Sequence, residues 1–459
     1  MPRADVSFTP QFLHARLQAF PRPAGYQVAF SGGMDSHALL HALAALQAQL
    51  ALPLGAVHVN HGLHPEAARW GAHCRAVCTG LGLDYAELDV DARAGRGDSP
   101  EAAARTARYA ALAGWLPAGH CLLTAQHRDD QAETLLLQLL RGAGVHGLSA
   151  MPVRSGLGAG TRLRPLLDVS RAALRAYAES RRLRWIDDPS NFDTGFDRNY
   201  LRHHVMPLLA ARWPAVAANL ARSAAHQAEA AALLDAMAMT DLQAAAGAAA
   251  GQLRLPVLAG LPPARARALL RYWLRRATGT TPSAAVLAHM LDDIPRSRGD
   301  AQPCVSWGGY ELRRYRDTLY LLQARPEPAP AEALSWTLDA PLVLPGAGGV
   351  LHARPTTGRG IRRAAVPDGG VLVRWRHGGE CCAPAGRGRH HALKKLFQEH
   401  GIPPWERTRI PLIFVGERLA LVAGLWVCEP FQAGPGESAF EITWDAAAPA
   451  AGAPGAAGN

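Results

Sequence analysis

Ser31-Gly32-Gly33-Met34-Asp35-Ser36 joins an apolar run, Val28-Ala29-Phe30, to a segment with helical apolar spacing from Ala38 to Leu50. A strand that breaks at paired glycines and turns straight into a helix leaves backbone N–H groups unpaired at the helix start. Those donors and the helix dipole favour an anion. Gly32 and Gly33 admit a phosphate close to the backbone, and Ser31 and Ser36 add hydroxyl donors. Asp35 would repel bound phosphate unless Mg2+ lies between them, so the set points to metal-bridged pyrophosphate. No Gly-Lys-Ser/Thr follows, and the third glycine of the dinucleotide fingerprint is missing, so two better-known phosphate loops fit worse.

A second set lies in Gln126-His127-Arg128-Asp129-Asp130-Gln131-Ala132-Glu133-Thr134. Asp130 and Glu133, three apart, share a face near a helix start, where acids also complement the helix dipole. Such a pair suits an ammonium group or Mg2+ rather than a nucleophile. Arg198 and Arg202 lie one turn apart on a predicted helix and would clamp phosphates. Glu101, Arg105 and Arg108 recur along one helix face, as either a solvated ladder or a working surface. His58, His61 and His64 stand at three-residue intervals, but His58 lies inside a strand and His61 beyond its end. They need not converge on a metal, and the strand end reads better as the wall of a nucleotide pocket.

The elements that must position these groups alternate. Strands are predicted at 26–30, 54–60, 84–90 and 121–125, and helices at 36–50, 65–81, 99–115 and 129–141. This rhythm predicts an α/β fold with a doubly wound parallel sheet and ligands at the carboxyl ends of the strands. The catalytic domain is expected over 1–213. An Ala- and Leu-rich helical domain follows over 214–325, with a basic amphipathic helix at 261–276 that is either a solvated face or an RNA-backbone surface. After a Pro/Ala linker at 326–331, a small α+β domain is expected over 340–445, and 446–459 reads as a disordered low-complexity tail. Lys394, Lys395, Arg407 and Arg409 interleave there with aromatic residues, a mixture suited to nucleic acid and equally to a charged face around core tryptophans.

With 459 residues, a net charge of +10 and 49% hydrophobic residues, the chain has ample core and favours a polyanionic partner. Seven cysteines without framework spacing or Cys-Xaa-Xaa-Cys predict free thiols in a cytoplasmic protein. No apolar run reaches bilayer-spanning length, so no membrane association is expected.

Taken in order, Ser31–Ser36, His58-Val59-Asn60-His61-Gly62-Leu63, Glu101–Tyr109, His127–Thr134, Arg164–Leu167, Asp188–Asn191 and Arg198-Asn199 resemble the tRNA(Ile)-lysidine synthases. Leu393–Phe397 and Arg407–Pro411 are similar to the C-terminal domain of that family. The loop motif itself is shared with the wider N-type ATP pyrophosphatases. The resemblance implies a reaction in which ATP adenylates the C2 carbonyl of the wobble cytidine in the CAU anticodon of tRNA(Ile). The ε-amine of free L-lysine then displaces AMP. The product, lysidine, pairs with A rather than G. Carried over by motif, Ser31, Gly32, Gly33, Met34, Asp35 and Ser36 bind ATP, with Asp35 beside Mg2+; His58 and Arg105 also face the nucleotide. Asp130 and Glu133 hold lysine, with Asp130 assisting its deprotonation. Arg198 contacts ATP or the activated cytidine, and Arg202, Lys394, Lys395, Arg407 and Arg409 contact tRNA. Gln126 and His64 depart from the family pattern, where a histidine and an arginine are common. A tRNA thiolase on the same loop would need a sulfur-carrying cysteine pair, an amidotransferase would need a glutaminase partner, and a mere RNA binder would leave Asp35, Asp130 and Glu133 idle.

Overall fold

The computed structural model describes residues 6–62, 66–91, 100–297, 303–324, 332–345 and 348–446. These fall into two compact units, one of residues up to Ala245 with Leu261–Thr281, the other of Ala246–Gly260 with the residues from Pro282 onward.

In the first unit, strands β1 (Tyr26–Ala29), β2 (Leu54–Asn60), β3 (Asp84–Asp89), β4 (Cys121–Leu123), β5 (Arg154–Leu157) and β6 (Gly160–Leu163) form one sheet in the order β3-β2-β1-β4-β6-β5. All neighbours are parallel except the β5–β6 hairpin at the edge. The helices are α1 (Pro10–Gln18), α2 (Met34–Ala44), α3 (Ala67–Leu81), α4 (Pro100–Trp115), α5 (Arg128–Leu140) and α6 (Arg171–Ser180). Val28 of β1 sits opposite Ala56 and Leu123, and with Phe30 it meets Leu39, Leu40 and Leu43 of α2 in a fully buried core. The winding reverses at β1, which has β2 on one side and β4 on the other. The crevice at such a reversal lies outside the carboxyl ends of the two strands. Ser31–Ser36 follows β1 and His127–Glu133 follows β4, so the topology brings the two polar sets to one crevice.

The parallel sheet of the sequence reading stands, with one addition. The β5–β6 hairpin was not expected, because Arg154–Leu163 carries three glycines and almost no apolar alternation. Beyond the sheet, α7 (Val216–Ala245), a thirty-residue helix, packs on α5 and on α8 (Pro263–Thr278). Asp235 of α7 pairs with Arg275 at 2.5 Å and with His146 at 2.9 Å, and Asp241 pairs with Arg265. Part of the basic face of α8 is thereby an internal ion-pair surface, while Arg267, Arg271 and Arg276 are exposed.

The second unit corrects the reading of 214–325 as helical sequence ending in one short strand at 318–322. Strands β7 (Gln252–Arg254), β8 (Cys304–Trp307), β9 (Tyr310–Tyr315) and β10 (Thr318–Gln323) form an antiparallel sheet, and of these only β10 matches that strand. The remainder is mixed, as expected for 340–445: two small antiparallel sheets hold Trp336, Val373, Ile413 and Leu421 in one core. The segments 326–331 and 447–459, read as linker and tail, lie outside the described residues.

Candidate active site

Gly32 has φ of +82°, and a Cβ there would lie 2.9 Å from Ile186 Cδ1 and 3.2 Å from Cys74 Sγ. Both the turn and the crowding require glycine. Ile186 N donates to Gly32 O, and His37 Nδ1 donates to Arg184 O, so the 184–186 segment braces the loop. Gly33 caps α2 without a side-chain acceptor, and Ser36 Oγ donates to Gly33 O at 3.0 Å and lies 3.1 Å from Ser31 Oγ. The first-turn N–H groups of α2 thus have no side-chain acceptor of their own. Met34 is buried, which leaves its backbone as the part available to a ligand. His58 is also buried; its Nδ1 donates to Phe30 O at 2.9 Å, so it props the strand end under the loop and does not open onto a nucleotide as expected.

Across the crevice, His127 is the N-cap of α5. The Asp130 backbone N–H donates to His127 Nδ1 at 3.3 Å, and the His127 N–H donates to Asp130 Oδ2 at 3.1 Å, a reciprocal cap. The ring proton then lies on Nε2, which faces Asp130 Oδ2 at 3.4 Å and Asp35 Oδ2 at 3.7 Å. Burial alone would lower the His127 pKa, but Asp130, Asp35 and Asp129 outweigh it and hold the imidazole above its ordinary value. Asp35 Oδ1 is buried and has no hydrogen-bond partner.

Asp130 and Glu133 do share a helix face, but they are not open. Glu133, 3% exposed, accepts from Arg198 Nε at 3.0 Å and from Arg202 Nε and Nη2 at 2.7 and 2.8 Å. Asp130 Oδ1 accepts from Arg198 Nη2 at 3.1 Å and Arg202 Nη2 at 2.9 Å. The acids read as an ammonium site and the arginines read as a phosphate clamp form a single neutral quartet. Burial would raise the Asp130 carboxyl, yet His127, Arg198 and Arg202 together hold it below the usual carboxylate range. A carboxylate so held is a weak base, and this counts against Asp130 as the proton acceptor while the arginines stay.

Arg105 is exposed and lies 5.3 Å over the Tyr109 ring, with Arg162 at 4.5 Å from the same ring. Arg164, from the Arg164–Leu167 motif, is 1% exposed; Nη1 donates to Pro152 O, while Nε and Nη2 are buried without partners. Burial would raise the Tyr109 hydroxyl, but Arg162, Arg105, Arg164 and Arg108 bring it below its ordinary value. Burial, helped by Arg108, whose Nε donates to His61 Nε2 at 3.1 Å, pushes His61 down to about 4. His64 lies outside the described residues, as do the side chains of Pro100 to Ala102, Glu101 included.

In the second unit, Lys394 and Lys395 are exposed on the 393–399 helix, whose Leu393, Leu396 and Phe397 are buried. Arg409 is half-buried. Arg407 is not a surface residue: it is 5% exposed, its Nε donates to Ile402 O at 2.8 Å and its Nη2 to Tyr315 OH. Its guanidinium fastens a loop to β9, which does not suit the RNA contact expected of it. Asn199, named in the Arg198-Asn199 motif without a role, has one here: its Nδ2 donates to Ser190 O and Asp193 O and ties the Asp188–Asn191 turn to the Arg198 helix. The pairing of those two motifs in the sequence is the signal for it. Among the described residues no cluster of three or more acids, histidines or cysteines is arranged to hold a metal alone, all seven cysteines are free thiols, and no helix is long and apolar enough to cross a membrane.

Three family models match: a PP-loop domain over residues 11–209, a TilS substrate binding domain over 253–320 and a TilS substrate C-terminal domain over 371–444. A tRNA(Ile)-lysidine synthase of Methylococcus capsulatus is 46% identical over 91% of this chain and 96% of its own. One from Alkalilimnicola ehrlichii is 46% identical over 95% of this chain and 97% of its own, and one from Coxiella burnetii 43% identical over 93% and 94%.

Proposed function

This chain belongs to the tRNA(Ile)-lysidine synthase family, and from that premise we propose which of its residues carry each step. The reaction is ATP-driven ligation of lysine to the wobble cytidine of tRNA(Ile), forming a C–N bond. The observation that carries the assignment is the single crevice shared by the glycine loop, His127 and the acid–arginine quartet.

The cytidine C2 oxygen attacks the α-phosphorus of ATP and pyrophosphate leaves. The N–H groups at the start of α2, with Ser31 and Ser36, receive the departing phosphates. Mg2+ fits beside Asp35, whose buried Oδ1 has no protein partner, because this ion takes one or two carboxylates and completes its shell with phosphate and water. Bound there, it would neutralise charge on the pyrophosphate. Arg105, on the exposed side of the Tyr109 cluster, contributes positive charge toward the nucleotide.

In the second step the lysine ε-amine attacks C2, the C2–O bond breaks, and AMP leaves with its electron pair while the amine gives up its protons. For Asp130 and Glu133 to hold the lysine ammonium, Arg198 or Arg202 must leave them. The phosphates of ATP and then of the adenylate are competing anions for those guanidiniums. We assign the quartet to this exchange: arginines on acids without substrate, arginines on phosphate and acids on lysine with it. Release from the arginines removes part of what depresses the Asp130 carboxyl, the rest being held by His127, and it becomes a better proton acceptor at the moment the amine arrives.

Lys394 and Lys395, the only lysines of the chain, and Arg409 are assigned to tRNA contact. A cytoplasmic location and the domain boundaries of the sequence reading are kept as proposals, although the compact units divide the chain differently, with residues up to Ala245 and Leu261–Thr281 in the first. The test is transfer of labelled lysine to a CAU-anticodon tRNA(Ile) transcript with ATP and Mg2+. Wild-type enzyme should label the RNA with release of AMP and pyrophosphate, and Asp130→Asn should not. Labelling by Asp130→Asn at the wild-type rate and lysine KM would remove Asp130 from the site.

A further inference from the structure

Arg164 is 1% exposed, and one edge of its guanidinium is without a partner. Nη1 donates to Pro152 O at 2.6 Å, while Nε and Nη2 are buried and make no hydrogen bond. Their N–H groups leave one edge of the plane in parallel, the edge that grips both oxygens of a carboxylate. Arg202 uses this edge on Glu133, with Nε 2.7 Å from Oε1 and Nη2 2.8 Å from Oε2. Arg164 has no such acid. Burial, with Arg162 and Arg105 near it, pushes its pKa down to about 10, and among the described residues the group opposing that shift is Tyr109, a phenol. A buried cation left this way is costly until an anion reaches it.

A second orphan lies beside it. Leu123 of β4 pairs with Leu163 of β6, and the next residues in register, Thr124 and Arg164, are one strand spacing of about 4.8 Å apart. Leu123 and Leu163 face the core under α2, whereas Leu122 and Tyr109 share the core under α4. By alternation Thr124 and Arg164 both turn to the α4 side. Thr124 is 4% exposed, and its Oγ1 also has no partner. The pair is tied to the acids of the quartet. His127 is bridged to Leu166, so 164–166 runs alongside 124–127. Pro152, which holds Nη1, follows Met151, whose N–H and C=O are both bonded to the Gln131 side chain, one residue after Asp130. Arg164 is thereby fixed to the first turn of α5, at the crevice.

In the reaction as assigned above, the phosphates of ATP meet the start of α2, Ser31, Ser36, the arginines of the quartet and the cation at Asp35. A backbone phosphate of tRNA is met by exposed cations such as Lys394 and Lys395, not by one shut away from water. Free lysine is small, and its carboxylate is the one substrate anion still without a partner. We propose that Arg164, with Thr124 Oγ1, holds the α-carboxylate of lysine while Asp130 and Glu133 hold an ammonium of the same molecule. Half-buried Tyr109, with exposed Arg105 on its ring, turns aside to admit it. This rests on Asp130 and Glu133 being the lysine site.

The test sets lysine against cadaverine, 1,5-diaminopentane, which offers the same terminal amine and no carboxylate, in ligation to a CAU-anticodon tRNA(Ile) transcript. Arg164→Lys keeps the charge and loses the fork; Thr124→Val keeps the shape and loses the hydroxyl. KM for lysine should rise about 30-fold in Arg164→Lys and about threefold in Thr124→Val, the scales of a charged and a neutral hydrogen bond, with KM for ATP unmoved. The Ki of cadaverine against labelled lysine should stay at the wild-type value in both, whereas a merely structural role would weaken both amines together. Lysine KM within twofold of wild type in both variants, equal losses for lysine and cadaverine, or a rise confined to KM for ATP or tRNA would overturn the carboxylate site. Asp130→Asn is run in parallel. If it ligates lysine at the wild-type rate and KM, the lysine reading of the acids has failed and the proposal falls with it. If it loses ligation while Arg164→Lys keeps its lysine KM, the carboxylate site alone is wrong.

Discussion

Replacing Glu133 by Gln tests whether the quartet is the structural unit it is drawn as. The side chain keeps its size, but one of its two oxygens becomes an NH2 that faces guanidinium donors. Glu133 accepts three of the five side-chain bonds that join acids to arginines, at 2.7 to 3.0 Å, and it is almost fully buried. Removing one partner of a buried ion pair costs about 3 to 5 kcal/mol. Asp130 still accepts from both arginines, so the lower end, about 3 kcal/mol, is expected here. In a domain of this size that is a fall of about 6 to 12 °C in the melting temperature of the first unit. The assay is thermal unfolding without substrates, for Glu133→Gln, Arg202→Gln and the double variant. Because the two amides can bond each other and neither leaves a bare charge, the double variant should lie well above the sum of the singles. A Glu133→Gln protein melting within 1 °C of wild type, or strict additivity, would refute the quartet and with it the exchange built on it.

Gly32→Ala should abolish ligation and pyrophosphate release, since a Cβ at φ +82° lies 2.9 Å from Ile186 Cδ1; activity within twofold of wild type would show that the loop is slacker than its contacts indicate. His37 is held neutral, its pKa pushed down to about 4 by burial, with help from His73 and His41, against the bond to Arg184 O. Because the folded pKa lies below the unfolded value, the unfolded chain takes up the proton first. Stability is therefore complete above about pH 6.5 and falls toward pH 4 by up to about 3 kcal/mol. Asp130, with its depressed carboxyl, is a separate case: its contribution persists above the ordinary carboxylate range and is lost as pH falls through it. His37→Gln, which retains a donor for Arg184 O, should flatten the loss between pH 6.5 and 5 in thermal melts; an unchanged slope would exclude His37 as its source. Arg407→Gln should lower the melting temperature of the second unit through Tyr315 and Ile402, and change KM for tRNA by less than Lys394→Ala/Lys395→Ala does; the reverse ranking would restore Arg407 as an RNA contact.

What could be read without coordinates follows from how local the governing physics is. The β1 strand, the glycine turn and α2 are legible because propensity, periodicity and turn chemistry agree over a dozen consecutive residues. The two acids of α5 are legible as a pair for the same reason: i and i+3 share a face whatever surrounds the helix. The hairpin 154–163 and the sheet of 252–323 are not, because their strands take their stability from partners far along the chain and carry little alternation of their own. The site shows the same limit more sharply. The spacing of Asp130 and Glu133 says they can bind a cation, and the spacing of Arg198 and Arg202 says they can bind an anion. Nothing in either spacing says that the nearest cation is Arg202 and the nearest anion Glu133, sixty-nine residues apart. Reading each pair alone yields two vacant sites of opposite charge. Two such sites a few ångströms apart and out of water would each carry a desolvation cost that neither could offset before substrate arrives, so the fold closes one on the other. A binding residue deduced from its type and spacing is therefore a statement about the liganded state. Its partner in the free enzyme is another part of the same site, and ligand affinity is measured against that contact rather than against water.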